Sequence, residues 1–126
     1  MTLITLAAIV FAVLALVLCL FQFALALGMP WGHLAMGGRW PGKLPVPARV
    51  SAVVQGGVMV ALARIVVGQA GLLVPLGPAW LIWVVVAITG LATLLNNVTP
   101  SAPERRLWGP VAVVMFLCAI YVAVAG

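Results

Sequence analysis

The sequence predicts an all-α fold, an antiparallel bundle of four transmembrane helices, and three observations predict it. Of 126 residues, 67% are hydrophobic and only 6% are charged, a composition that no water-soluble domain can bury. The apolar residues fall into four stretches, at about residues 3–27, 47–73, 79–98 and 102–125, and about 20 apolar residues suffice to cross the roughly 30 Å hydrocarbon core of a bilayer. Clusters of Gly and Pro separate the stretches. With a mean hydropathy of +1.36 and little chain outside the spans, residues 1–126 read as one integral membrane domain.

The first span, from Leu3 to Leu27, is interrupted only by Thr5 and Gln22 and is stopped by Gly28 and Pro30. Ala24-Leu25-Ala26 has the small-residue look of a signal-peptide cleavage site. The absence of a basic leader and the length of the apolar run argue for an uncleaved anchor. Residues 28–47 (GMPWGHLAMGGRWPGKLPVP) hold too much Gly and Pro for a continuous helix and read as a loop. Span two opens with Pro47, tolerated in a first helical turn where its missing N–H has no partner to lose. An uncharged connection, Leu72–Pro78, leads to span three, with Trp80 and Trp83 placed for an interfacial belt. Span four follows Asn97-Val98-Thr99-Pro100, and Gly109-Pro110 is expected to bend it near its start.

Charge sets the expected orientation. The net charge of +5 comes from six basic residues against Glu104 alone. Arg39, Lys43, Arg49, Arg105 and Arg106 flank the first and third loops, whereas the second loop has no charge. The positive-inside rule then places both long loops in the cytoplasm and both termini outside. These cations are expected to meet anionic lipid headgroups. With no aromatic-interleaved basic stripe on which bases stack, no nucleic-acid partner is expected.

Several constellations are candidates for chemistry. Gly37–Lys43 satisfies the G-x-x-x-x-G-K part of a P-loop, but Leu44 stands where Ser or Thr holds Mg²⁺ and no strand precedes it, so nucleotide binding is rejected. The candidate ligand-binding residues are Arg39, Lys43, His33 and Trp31 in the first loop, Asn96 and Asn97 at the end of span three, and Arg64 inside span two. Arg64 is costly in a membrane and needs a partner, whether by snorkelling to water or by meeting an anionic ligand. Ser101 and Glu104 have the spacing of a capping box, with Arg49 as an alternative ion-pair partner for Glu104. Thr89, Thr93 and Asn96 or Asn97 form a polar stripe on span three, at the depth of Ser51 and Gln55 in span two and Gln22 in span one. A polar pocket in the cytoplasmic half of the bundle, or plain interhelical hydrogen bonding, is the expected result. One histidine and two separated cysteines, Cys19 and Cys118, do not make a metal or haem site, so no metal or cofactor is expected. There is no intramembrane Asp, Glu or Lys and no Ser-His-Asp set, which argues against proton-coupled transport of the small multidrug type, retinal binding and conventional hydrolysis.

Gly28-Met-Pro-Trp-Gly32 through Gly37-Gly38 and Leu44-Pro45, with Asn97-Val-Thr-Pro-Ser101 and Glu104-Arg105, resembles a widespread group of uncharacterised small four-helix bacterial membrane proteins. The resemblance covers both long loops and their helix ends. It implies a bacterial inner membrane and four spans, and it transfers no catalytic or binding residue. The expected function is that of a non-catalytic accessory or assembly subunit, a homo-oligomer or a component of a larger membrane complex, or a lipid-binding protein. The alternative is a membrane-embedded enzyme or carrier acting on an anionic lipid-like or amphiphilic substrate through Arg39, His33, Lys43, Glu104 and the Asn96–Asn97 region.

Overall fold

The computed structural model describes residues 1–126. It is all-helical, with α1 (Leu3–Ala26), α2 (Val46–Gln69), α3 (Leu81–Val98) and α4 (Ala102–Ala125). Two single 3₁₀ turns, Gly32–Leu34 and Met36–Gly38, lie between α1 and α2. All four α-helices are long and apolar enough to cross a membrane.

Local chemistry explains where each helix begins and ends. Thr2 caps α1, its Oγ1 accepting the Thr5 amide at 3.3 Å. Span two was expected to reach Leu73, but α2 ends at Gln69. Gly71 takes the left-handed conformation (φ 84°), which turns the chain so that Leu72 N–H donates to the Val67 carbonyl at 3.0 Å and Gly71 N–H to Gly68 at 3.1 Å. Those two bonds satisfy carbonyls that a continuing helix would have used. The Pro78-Ala-Trp segment forms a turn, so α3 starts at Leu81, two residues later than expected. It stops at Val98 because Thr99, preceding Pro100, is extended (ψ 142°). Through Pro110 α4 runs on as a single helix.

Helices α1 and α2 pair along their length, as do α3 and α4, and α1 also lies against α4. Gln22 hydrogen-bonds Gln55, and Arg49 reaches the Ala26 carbonyl, so residue numbers rise along α2 as they fall along α1. The same reversal joins Thr93 to Ala112 and Asn97 to Gly109 between α3 and α4. By contrast α2 and α3 touch only sparsely.

The main core contains residues of all four helices, centred on Phe11, Leu62, Val66, Ile82, Val85 and Val122. A second, smaller core joins Leu25 of α1, Ala48 and Ala52 of α2, and Ala35 and Leu44 of the first loop. That loop is therefore packed onto the helix ends rather than trailing from them. Large apolar side chains such as Leu16, Leu20, Val54 and Leu94 are exposed on the outer faces, the pattern of helices whose surroundings are themselves apolar.

Candidate functional site

The first and third loops meet over one end of the helices. Met36, Gly37 and Gly38 all have positive φ (52°, 72° and 70°), and this left-handed turn aims the Gly37 amide at α4. There it donates to Glu104 Oε2 at 2.9 Å. Ser101 Oγ donates to the His33 carbonyl at 2.5 Å, a second bond between the same two segments. Ser101 also caps α4 through the Glu104 amide at 3.4 Å. The reciprocal half of the expected capping box is absent, because the Glu104 carboxylate is drawn to Gly37 and Ser101 N–H turns to Thr99 Oγ1 at 3.3 Å. Nor does Arg49 pair with Glu104: its Nε donates to the Ala26 carbonyl at 2.7 Å, closing the end of α1.

Beneath this joint lies a cavity of about 330 Å³, walled by all four helices and roofed by Leu34, Ala35 and Met36. Phe21, Met59, Ile88, Trp108 and Met115 contribute to its apolar lining, and Gln22, Gln55, Thr89, Asn96 and Glu104 to its polar lining. Phe21 and Trp108 form a tilted aromatic pair with ring centroids 4.8 Å apart and planes at 56°. Val58 of α2 and Leu91 and Leu95 of α3 belong to the lining and are also exposed on the outer surface. The cavity thus opens sideways where α2 and α3 fail to close on each other.

Two residues of the lining each carry a polar atom that is buried without a hydrogen-bond partner, Oε1 of Gln22 and Nε1 of Trp108. Such atoms are costly inside a protein unless something else satisfies them. Met36 adds a further cost, since a non-glycine residue with positive φ is strained and persists only where its surroundings hold it. No family model, curated protein or solved structure matches the chain.

Of the candidate ligand-binding, capping and ion-pair residues, only Asn96 and Glu104 line the cavity. Asn96 Nδ2 is bonded to the Ala92 carbonyl at 2.8 Å, and Asn97 turns away to Thr93 and Gly109. His33 and Lys43 are exposed. Arg39 is exposed too, its guanidinium 4.8 Å above the Trp40 ring. Trp31 stacks on Phe21 outside the cavity, with centroids 6.3 Å apart and planes parallel to 1°. Arg64 belongs to another region: Nη2 donates to the Val74 carbonyl at 2.5 Å, and Nη1 is buried beside Gly68 without a partner. It holds the α2–α3 connection rather than joining the loop-end site.

The expected polar pocket corresponds to this cavity for Gln22, Gln55, Thr89 and Asn96. Thr93 instead bonds the Thr89 and Ala112 carbonyls, and Ser51 is exposed. Sequence reasoning missed Phe21 and Trp108. Trp108 stands four residues after Glu104, on the same helical face, and that spacing was the available signal.

Proposed function

We propose that this chain is a four-span protein of a bacterial inner membrane that binds the apolar part of an amphiphile non-catalytically. The observation supporting this reading is the side-opening cavity, apolar over most of its wall and polar at the end beneath the loops. A volume of about 330 Å³ falls at the small end of the roughly 300–1,000 Å³ usual for ligand pockets and suits one chain rather than a two-tailed lipid. An opening between two helices admits a ligand from the bilayer without passage through water.

The enzyme alternative loses support from the same geometry. Arg39, His33, Lys43 and Asn97 are spread over the surface, and no nucleophile stands beside a base at the cavity. In the proposed orientation both basic loops face the cytoplasm and both termini face outward. The hydrogen bonds from Gly37 to Glu104 and from Ser101 to His33 support placing those loops at one end.

Two measurements test the proposal. Native mass spectrometry of protein released from an uncharged detergent is expected to show a one-to-one adduct with a chain-bearing molecule. In Met59→Trp, which fills the cavity, that adduct is expected to be lost, while helical content measured by circular dichroism is retained. A wild-type protein that never retains an adduct overturns the binding reading. For orientation, a reporter fused to the C-terminus is expected to be active only when the enzyme used works outside the cytoplasm. A cytoplasm-only signal reverses the assignment.

A further inference from the structure

On the cavity lining, each side-chain amide nitrogen and the Thr89 hydroxyl already donates one hydrogen bond within the protein. Gln22 Nε2 donates to Gln55 Oε1 at 3.2 Å and Gln55 Nε2 to Ser51 Oγ at 3.1 Å. Asn96 Nδ2 donates to Ala92 and the Thr89 hydroxyl to Val85, each at 2.8 Å. What remains is neutral apart from one group: a second N–H on each of the Gln22, Gln55 and Asn96 amides and the Trp108 indole N–H as donors, the Asn96 amide oxygen as an acceptor, and the Glu104 carboxylate, the one acceptor able to carry charge.

Charge decides between ligand classes. Glu104 is the sole ionisable side chain on the lining, and no Lys, Arg or His contributes to it. Glu104 and Trp108 are 7% and 8% exposed, so a carboxyl group and an aromatic face sit together out of water. The Phe21–Trp108 pair supplies a π surface of the kind that attracts a desolvated cation. An anionic headgroup would meet a carboxylate with no cation to offset it. All the basic residues expected to recognise anions lie elsewhere.

Resting on the amphiphile-binding reading above, we propose that the cavity selects a single-chain lipophilic cation with an ammonium head, which donates to Glu104 and lies against Phe21 and Trp108. The sequence alone favoured an anionic ligand, because it displays five loop cations and conceals where its single acid sits.

Three amphiphiles of equal chain length test this: decylammonium, decanol and decyl sulfate, titrated into the protein in uncharged detergent and followed by calorimetry against protein-free micelles. Decylammonium is expected to bind with one-to-one stoichiometry and more tightly than decanol, with no saturable binding of decyl sulfate. In Glu104→Gln, which keeps an acceptor for the Gly37 amide, the ratio of decylammonium to decanol affinity is expected to fall about tenfold, the equivalent of one hydrogen bond to a charged group. Phe21→Leu leaves the Gly37–Glu104 bond in place, removes one ring of the aromatic pair, and is expected to lower the same ratio severalfold. Decyl sulfate binding as tightly as decylammonium overturns the cation selectivity while leaving amphiphile binding intact. An unchanged ratio in both folded variants overturns the assignment of Glu104 and Phe21. Failure of all three compounds to bind overturns both readings.

Discussion

An alanine at position 32 is expected to break open the first loop. The Gly32 N–H donates to the Gly42 carbonyl at 2.9 Å, pinching together the two ends of the segment that roofs the cavity. A Cβ added there would overlap the Trp40 carbonyl oxygen and lie 2.7 Å from Gly42 O and 2.9 Å from the Trp40 carbonyl carbon. All three are backbone atoms, so no side-chain rotation relieves the contact and the loop itself has to move. Overpacking costs about 1–3 kcal/mol where neighbours can shift, and this site stands at or above the upper end of that range. Gly42→Ala is the matched control, since a Cβ there meets nothing within 4 Å. The check is thermal unfolding in detergent together with tryptic cleavage after Arg39 and Lys43. Gly32→Ala is expected to melt at lower temperature and to be cut faster, and Gly42→Ala to behave as wild type. Equal cleavage rates would show that the loop is not held by this close approach.

Glu104→Leu is expected to have the second large effect, and Glu104→Gln a much smaller one. Glu104 is nearly buried, and its carboxylate receives the Gly37 amide across the joint between the two long loops. Leucine fills similar space but leaves that amide without an acceptor, a loss of about 1–3 kcal/mol. Glutamine retains a carbonyl oxygen in place and loses only the charge. Ser101 Oγ to His33 O would then be the remaining polar tie between α4 and the loop, so Glu104→Leu combined with Ser101→Ala should cost more than the sum of the two single changes. Unfolding midpoints for the four proteins, compared with wild type, check the order: glutamine above leucine, and the double variant lowest. Equal midpoints for leucine and glutamine would mean that packing, not the Gly37 bond, is what Glu104 contributes.

The helices were legible because hydrophobic length is a strong signal and glycine and proline punctuate it. Where α2 ended early, the cause was Gly71, whose left-handed turn closes the helix while the sequence around it stays apolar. The polar depth of Gln22, Gln55, Thr89 and Asn96 was legible too, since helical spacing and span boundaries fix it approximately. The loop was not. Its glycines excluded a helix, but nothing local foretold that Met36–Gly38 would bind α4 and take Glu104 away from its own capping box. A capping box is a local pattern, and the competing donor lies 67 residues away in sequence. Enclosure was hidden for a related reason: the surface cations are visible in a sequence, whereas which residues line a cavity depends on contacts between distant segments.

The sparse contact between α2 and α3 has a consequence for how the molecule is assembled. As the chain is made, α1 and α2 form a complete pair, with Gln22 and Gln55 already able to satisfy each other. The next helix to emerge has little to lean on, because its main protein neighbour is α4, the last helix of the series. Until α4 arrives, Thr93 lacks the Ala112 carbonyl and Asn97 lacks Gly109. Once complete, the two hairpins are held together mainly by α1 against α4, and the α2–α3 seam stays open.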